Sequence, residues 1–302
     1  MQIKLKSSPW AACLLSGGVV LLLASNVQAQ NLFVAGNSSG NIYEFTPGGA
    51  KSIFASGLSN PNGLAFNSAG DLFVADYGSG NIYEFTPDGT QSIFVSGLAY
   101  PNQLAFNSAG DLFVTEWAEQ GGITEITPGG VQSTFTSELF LYPEGLAFNN
   151  TGDLFVANNL THNISEFTPG GVQSTFTSGV DYPEGLAFNS AGDLFVANYF
   201  GGNISEFTPG GIQSIFASGL SGPTGLAFDS AGDLFVTENN IFTGDGSIVE
   251  ITPDGVQSTF ASGLGNLYGL AFQPAPEPSV FGLLAVSAIA LLVCRRQNLL
   301  RG

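Results

Sequence analysis

The chain has 302 residues, with 6 basic and 24 acidic side chains and a formal net charge of −18. Between its two ends the only basic side chains are Lys51 and His162, so the body repels phosphate backbones. That excludes nucleic acid as a partner and favours divalent cations, or neutral or cationic ligands. Cys13 and Cys294 both fall in terminal apolar segments, which leaves the body without disulfide or thiol chemistry.

In chain order, the first element is an address. Lys4 and Lys6 precede an apolar run from Ala11 to Ala24, and Val27 and Ala29 follow at the spacing of a signal-peptidase site. Residues 1–29 therefore read as a secretory signal, with signal peptidase as the expected first partner.

A repeat occupies 30–273. The motif GLAF or QLAF begins at residues 63, 103, 145, 185, 225 and 269, a period of 40 to 44. Such a period, filled only by strand-like segments, predicts propeller blades. In residues 63–96, "GLAFN" reads as an inner strand a. "DLFVAD" reads as a strand b buried on both faces, "NIYEF" as strand c and "QSIFVS" as a polar outer strand d. Glycine turns, "NSAGD" and "TPDG" or "TPGG", separate them. The body opens on a strand b, "NLFVAG", and closes on a strand a, "GLAFQ". Pairing these two predicts an all-β, six-bladed propeller of four antiparallel strands per blade. One blade is composite, closed by the C-terminal inner strand.

Comparison among the repeats separates architecture from candidate function. Every strand c carries a glutamate: Glu44, Glu84, Glu125, Glu166, Glu206 and Glu250. So uniform a feature reads as structural. The start of strand a varies instead, as Asn62, Asn102, Glu144, Glu184, Thr224 and Tyr268. So does the end of strand b, as Gly36, Asp76, Glu116, Asn158, Asn198 and Glu238. Antiparallel pairing puts both sets at one end of the channel. A plain three-residue turn at 68–70 would set Asn62 opposite Asp76, Asn102 opposite Glu116 and Thr224 opposite Glu238. On this register no blade sets two carboxylates opposite each other, so drift under that pairing constraint is one explanation of the variation. The functional alternative is a ring of oxygen ligands. Asn62, Asn102, Glu144 and Glu184 are then the expected ligands of Ca²⁺ or another divalent cation. Asp76, Glu116, Glu238 and Tyr268, with the loop aromatics Tyr77, Trp117, Tyr199, Phe200 and Phe242, would line a surface for a sugar, peptide or amine. His162 is the only histidine, which leaves no Ser-His-Asp triad to expect and no histidine-rich zinc site.

The unit "PNGLAFNSAGDLFVADYGSGNIYEF", 61–85, resembles the NHL repeat and the six-bladed propellers of the SMP-30/gluconolactonase type. The resemblance implies the fold over 31–273. It leaves function open, because such propellers include binding proteins, lactonases and lyases. Many NHL units carry arginine before strand c, where this chain has Asn41, Asn81, Asn163 and Asn203, so the basic face of RNA-binding relatives is missing. The lactonase resemblance implies a metal held by Glu144 or Glu184 and by Asn62 or Asn102. It also calls for an inner-strand Asp, where Thr224 and Tyr268 stand.

The last segment, 274–302, is a second address. Pro276-Glu277-Pro278 precedes an uncharged run, Ser279 to Cys294, and then Arg295-Arg296. As a helix the run would be ~24 Å long, short for a ~30 Å hydrocarbon core but usable with snorkelling arginines. The three-part order resembles the PEP-CTERM sorting signal of Gram-negative bacteria, with six extra residues after the arginine pair. That implies membrane attachment through helix 279–294 before processing, an exosortase-type enzyme as partner, and a final place in the envelope, at the cell surface or outside. A simple membrane anchor is the alternative. Three functions remain open on the sequence: an exported non-enzymatic binding module, a metal-dependent lactone hydrolase, and a structural envelope or matrix protein.

Overall fold

The computed structural model describes residues 30–118, 121–140, 142–240 and 243–275, with backbone alone for 137–140. The expected signal segment 1–29, the tail helix 279–294 and Phe242 lie outside these residues. Among the described residues no helix is long and apolar enough to cross a membrane.

Twenty-four strands form six four-stranded antiparallel sheets, as the repeat predicts. Blade 1 is composite: β24 (Leu267–Phe272) pairs with β1 (Leu32–Gly36), followed by β2 (Asn41–Phe45) and β3 (Lys51–Ala55). Blade 2 is β4 (Pro61–Phe66) to β7 (Gln91–Ser96), with β5 (Leu72–Asp76) and β6 (Asn81–Phe85) between. Blade 3 runs from β8 (Pro101–Phe106) through β9 (Leu112–Glu116) and β10 (Gly121–Ile126) to β11 (Gln132–Phe140). Blades 4, 5 and 6 have inner strands β12 (Pro143–Phe148), β16 (Pro183–Phe188) and β20 (Pro223–Phe228). Their second strands are β13 (Leu154–Asn158), β17 (Leu194–Asn198) and β21 (Leu234–Asn239). The inner strands neighbour one another around the axis, and β24 touches both β20 and β4, so the ring closes through the composite blade.

Burial follows the distance from the blade edges. The second strand is buried at every position in five of the blades, whereas the outer strand is largely exposed. Blades join through a repeated aromatic contact. Phe73 on β5 meets Phe94 of its own outer strand and Phe106 of the next inner strand edge-on, with both centroids 5.0 Å away. Phe235 meets Phe272 of β24 in the same way at 5.0 Å, so the closing joint is chemically equal to the others. Edge-to-face pairs add about 0.5–1.5 kcal/mol each beyond the area they bury.

The inner strands lie so close that side chains are excluded where they touch. A Cβ on Gly185 would sit 2.1 Å from Thr224 O, and one on Gly145 the same distance from Glu184 O. Gly63, Gly225 and Gly269 meet the next blade's carbonyl at 2.4 Å in the same sense. Gln103 replaces glycine in blade 3. There the Thr115 hydroxyl mediates, accepting the Gln103 N–H at 3.0 Å and donating to Glu144 O at 2.9 Å.

The register expected for strands a and b holds from Phe66 opposite Leu72 to Leu64 opposite Val74 and slips by one beyond that. A bulge sets two residues, Asn62 and Gly63, opposite Ala75 alone, so Asp76 faces Pro61 rather than Asn62. Equivalent bulges set Glu116 opposite Pro101, Glu238 opposite Pro223 and Gly36 opposite Leu267. Gly185→Ala is expected to cost about 1–3 kcal/mol through overpacking. Gly48→Ala, whose added Cβ meets nothing within 4 Å, serves as the control and should be neutral. Equal melting temperatures for the two variants would contradict the close-approach account.

Candidate functional site: the channel mouth

The bulge delivers the variable residues to the axis. Asn62, Asn102, Glu144, Glu184 and Tyr268 all line one cavity of about 500 Å³ at the channel mouth. The four expected metal ligands therefore share one site. Thr224, the sixth equivalent, does not line it; its hydroxyl lies 2.9 Å from that of Thr237 and is buried. Tyr77, Trp117, Tyr199 and Phe200 project from the loops after strand b and form the walls.

Asp76, Glu116 and Glu238 are corrections: none of them lines the mouth. Strand b is second from the axis, so its side chains leave through the blade faces. There they hold the loop that enters their own blade. Asp76 Oδ2 accepts the Ser59 N–H at 3.0 Å and the Ser79 hydroxyl at 2.7 Å. Glu116 accepts the Ala99 N–H at 2.7 Å, and Glu238 the Ser221 N–H at 2.8 Å. In blade 5 Asn198 performs this task on Asp181 N–H. The strand c glutamates are also architectural; Glu44 accepts from Asn31 Nδ2 at 2.7 Å.

The two mouth glutamates differ in their surroundings. Glu144 accepts the Trp117 indole N–H at 2.7 Å on one oxygen and the Asn102 amide on the other. Glu184 has no hydrogen-bond partner among the described residues. Both keep some accessible surface, but it opens onto the cavity, so protein surrounds groups that water still reaches. Desolvation pushes the Glu144 carboxyl up to about 7, against the two hydrogen bonds that favour its charge. Desolvation, then repulsion from Glu144, holds Glu184 well above the carboxylate range. Burial and the same two glutamates raise the Tyr268 hydroxyl, and burial and Glu184 raise that of Tyr199. Among the described residues no lysine or arginine lines the cavity; Lys51 lies elsewhere, 5.0 Å over the Tyr43 ring.

Two further acceptors are unmet. Asn62 and Asn102 are 6% and 1% exposed, and the Oδ1 of each has no hydrogen-bond partner. The Nδ2 of Asn102 is committed to Glu144, which fixes that amide with its oxygen left over. Among the described residues no three His, Cys, Asp or Glu side chains are grouped for a metal, so a cation here would need amide oxygens.

Sequence reasoning missed Tyr182, Asn37, Asn60 and Asn159 as lining residues. For Tyr182 and Asn60 a signal was available in the residue ahead of each inner-strand proline. Asn60, Tyr100, Tyr142 and Tyr182 hold φ between 51° and 65°, where blade 6 uses Gly222. Left-handed non-glycine backbone costs on the order of 1 kcal/mol or more and clusters at functional surfaces. His162 packs edge-on to Tyr182 at 4.3 Å and accepts its N–H at 3.3 Å, so it supports the rim rather than forming the site.

Fold and mouth together define the class: a six-bladed β-propeller with an axial cavity at the mouth of its channel. No protein-family model matches the chain, and no curated protein matches it. Solved structures match the fold. A chain of a nidogen/laminin complex is 15% identical with a TM-score of 0.71, covering 81% of this chain and 98% of that one. A streptogramin B lyase is 16% identical, TM-score 0.64, covering 80% and 86%. A gluconolactonase from Xanthomonas campestris is 17% identical, TM-score 0.64, covering 80% and 87%. At these identities the likeness is one of fold, shared by a protein complex, a lyase and a lactonase.

The pH dependence of stability follows from the two glutamates. Their folded pKa values lie above the ordinary 4.5 of a glutamate. Their contribution is therefore fully present below about pH 4.5 and is lost as pH rises through the folded values. With a chelator present, the full-length protein should lose on the order of 1–3 kcal/mol between pH 4.5 and 8 beyond what Glu144→Gln/Glu184→Gln loses. Parallel stability profiles for the two proteins would show that neither glutamate titrates abnormally.

Proposed function

We propose that the protein is an exported binding module whose channel mouth accepts a positively charged ligand. The observation that carries the reading is the pair Glu144 and Glu184, enclosed in one cavity without any lysine or arginine. Charge burial without compensation is costly, and a cation from outside would supply the missing partner. Export rests on residues 1–29 and on the tail 274–302 as read from the sequence.

A hard divalent cation such as Ca²⁺ suits this donor set, because carboxylates and amide carbonyls are its ordinary ligands. Glu184 and Glu144 would hold it, with the amides of Asn62 and Asn102, whose unmet Oδ1 atoms are buried, turning toward it. Binding is favoured over lactone hydrolysis because the third inner-strand carboxylate is replaced by Thr224 and Tyr268, and the Thr224 hydroxyl is engaged with Thr237.

Thermal melting of the full-length protein with CaCl2 tests the reading. A hundredfold excess over Kd should add about 2.7 kcal/mol. Glu144→Gln/Glu184→Gln should lose that increment, while Glu84→Gln on β6 should keep it. Equal calcium shifts in the wild type and the double variant would remove the mouth as the cation site.

A further inference from the structure

The mouth is larger and more apolar than an inorganic ion requires. Its volume of about 500 Å³ falls in the range of small-molecule sites, ~300–1,000 Å³. Six aromatic side chains line it. Tyr77 and Trp117, with centroids 6.0 Å apart, stand on the side of blades 2 and 3. Tyr182, Phe200 and Tyr199 stand on blade 5 as a continuous edge-to-face set, at 4.6 and 5.0 Å. Tyr268 enters from blade 1. A hydrated metal ion gains little from such walls. A cation with an apolar body gains both burial and cation–π attraction.

The polar part of the mouth leaves one carboxylate unengaged. The Glu144 oxygens are already engaged by Trp117 and Asn102, whereas Glu184 has no donor; the unmet Oδ1 atoms of Asn62 and Asn102 are themselves buried. A sugar hydroxyl brings as many acceptors as donors and no charge. A quaternary ammonium brings charge and no N–H. A primary ammonium brings one positive charge, three N–H donors and no acceptor.

Resting on the reading of the mouth as a cation acceptor, we propose that its ligand is a small primary amine. Its ammonium meets Glu184, and its apolar or aromatic body lies between the Tyr77/Trp117 and Tyr199/Phe200 walls. Trp117 has two tasks in this arrangement, since it walls the cavity and also holds Glu144 in place.

Calorimetric titration of the full-length protein with 2-phenylethylamine, and with the matched alcohol 2-phenylethanol, tests the proposal. The amine should bind at least tenfold more tightly than the alcohol, and tetramethylammonium should bind no better than the alcohol. Glu184→Gln should weaken the amine at least tenfold. Phe200→Ala should weaken it severalfold, and because Phe200 is 59% exposed that change leaves the core intact. Glu206→Gln, on a strand c, should change nothing. Equal affinity for amine and alcohol, or full amine affinity in Glu184→Gln, overturns the proposal. Calcium binding that depends on Glu144 and Glu184, with no amine binding, would leave the cation-accepting mouth standing and sink the amine. Failure of both ligands would sink both readings.

Discussion

Contact between neighbouring inner strands is the constraint on which the rest of the structure depends. At five of the six inner strands a glycine lets one backbone rest against the carbonyl of the next. The residue just ahead of each glycine belongs to the bulge and is carried to the axis or beside it, whatever its chemistry. In blades 4 and 5 that residue is a glutamate. The same packing that closes the ring therefore forces two carboxylates into one cavity, and the aromatic joints between blades hold them there.

The mouth is thus a place where the packing works against stability. A buried like-charge pair weakens the folded state at neutral pH unless protons or a ligand intervene. The left-handed tyrosines of the rim work in the same direction: glycine would relieve the strain at Tyr182 and would remove a wall. Nothing in the blade architecture requires either feature. Blade 6 builds the same corner from Gly222 and Thr224, with every bond of the hydroxyl satisfied internally. Those blade 6 positions show what the repeat looks like when it is only structural, and the contrast with blades 4 and 5 is the strongest internal argument that the mouth binds something.

Much of this was legible in the sequence, for physical reasons that differ from element to element. The strands and the composite blade could be read because a 40-residue period superposes six versions of one unit, and its phase fixes which ends must meet. Asn62, Asn102, Glu144 and Glu184, which line one cavity, could be singled out because their positions depart from an otherwise uniform repeat. The partners of the glutamates could not. A bulge adds one residue without disturbing the alternation on either side, so Asp76, Glu116 and Glu238 read as mouth residues when they are loop caps. Tyr182 was hidden because the position before a proline ordinarily reads as extended backbone, whereas here it is left-handed.

The central claim is that Glu144 and Glu184 share one cavity without a compensating positive charge among the described residues. Carbon-13 NMR of the glutamate side-chain carboxyls, titrated from pH 3 to 9 in the full-length protein, addresses it most directly. The account predicts one resonance titrating near 7 and a second titrating above the ordinary carboxylate range, with both lost in Glu144→Gln/Glu184→Gln. Saturating cationic ligand should return both to the ordinary carboxylate range. If every glutamate of the body titrates between about 4 and 5 in the ligand-free protein, the enclosed acidic mouth does not exist and the functional reading built on it fails.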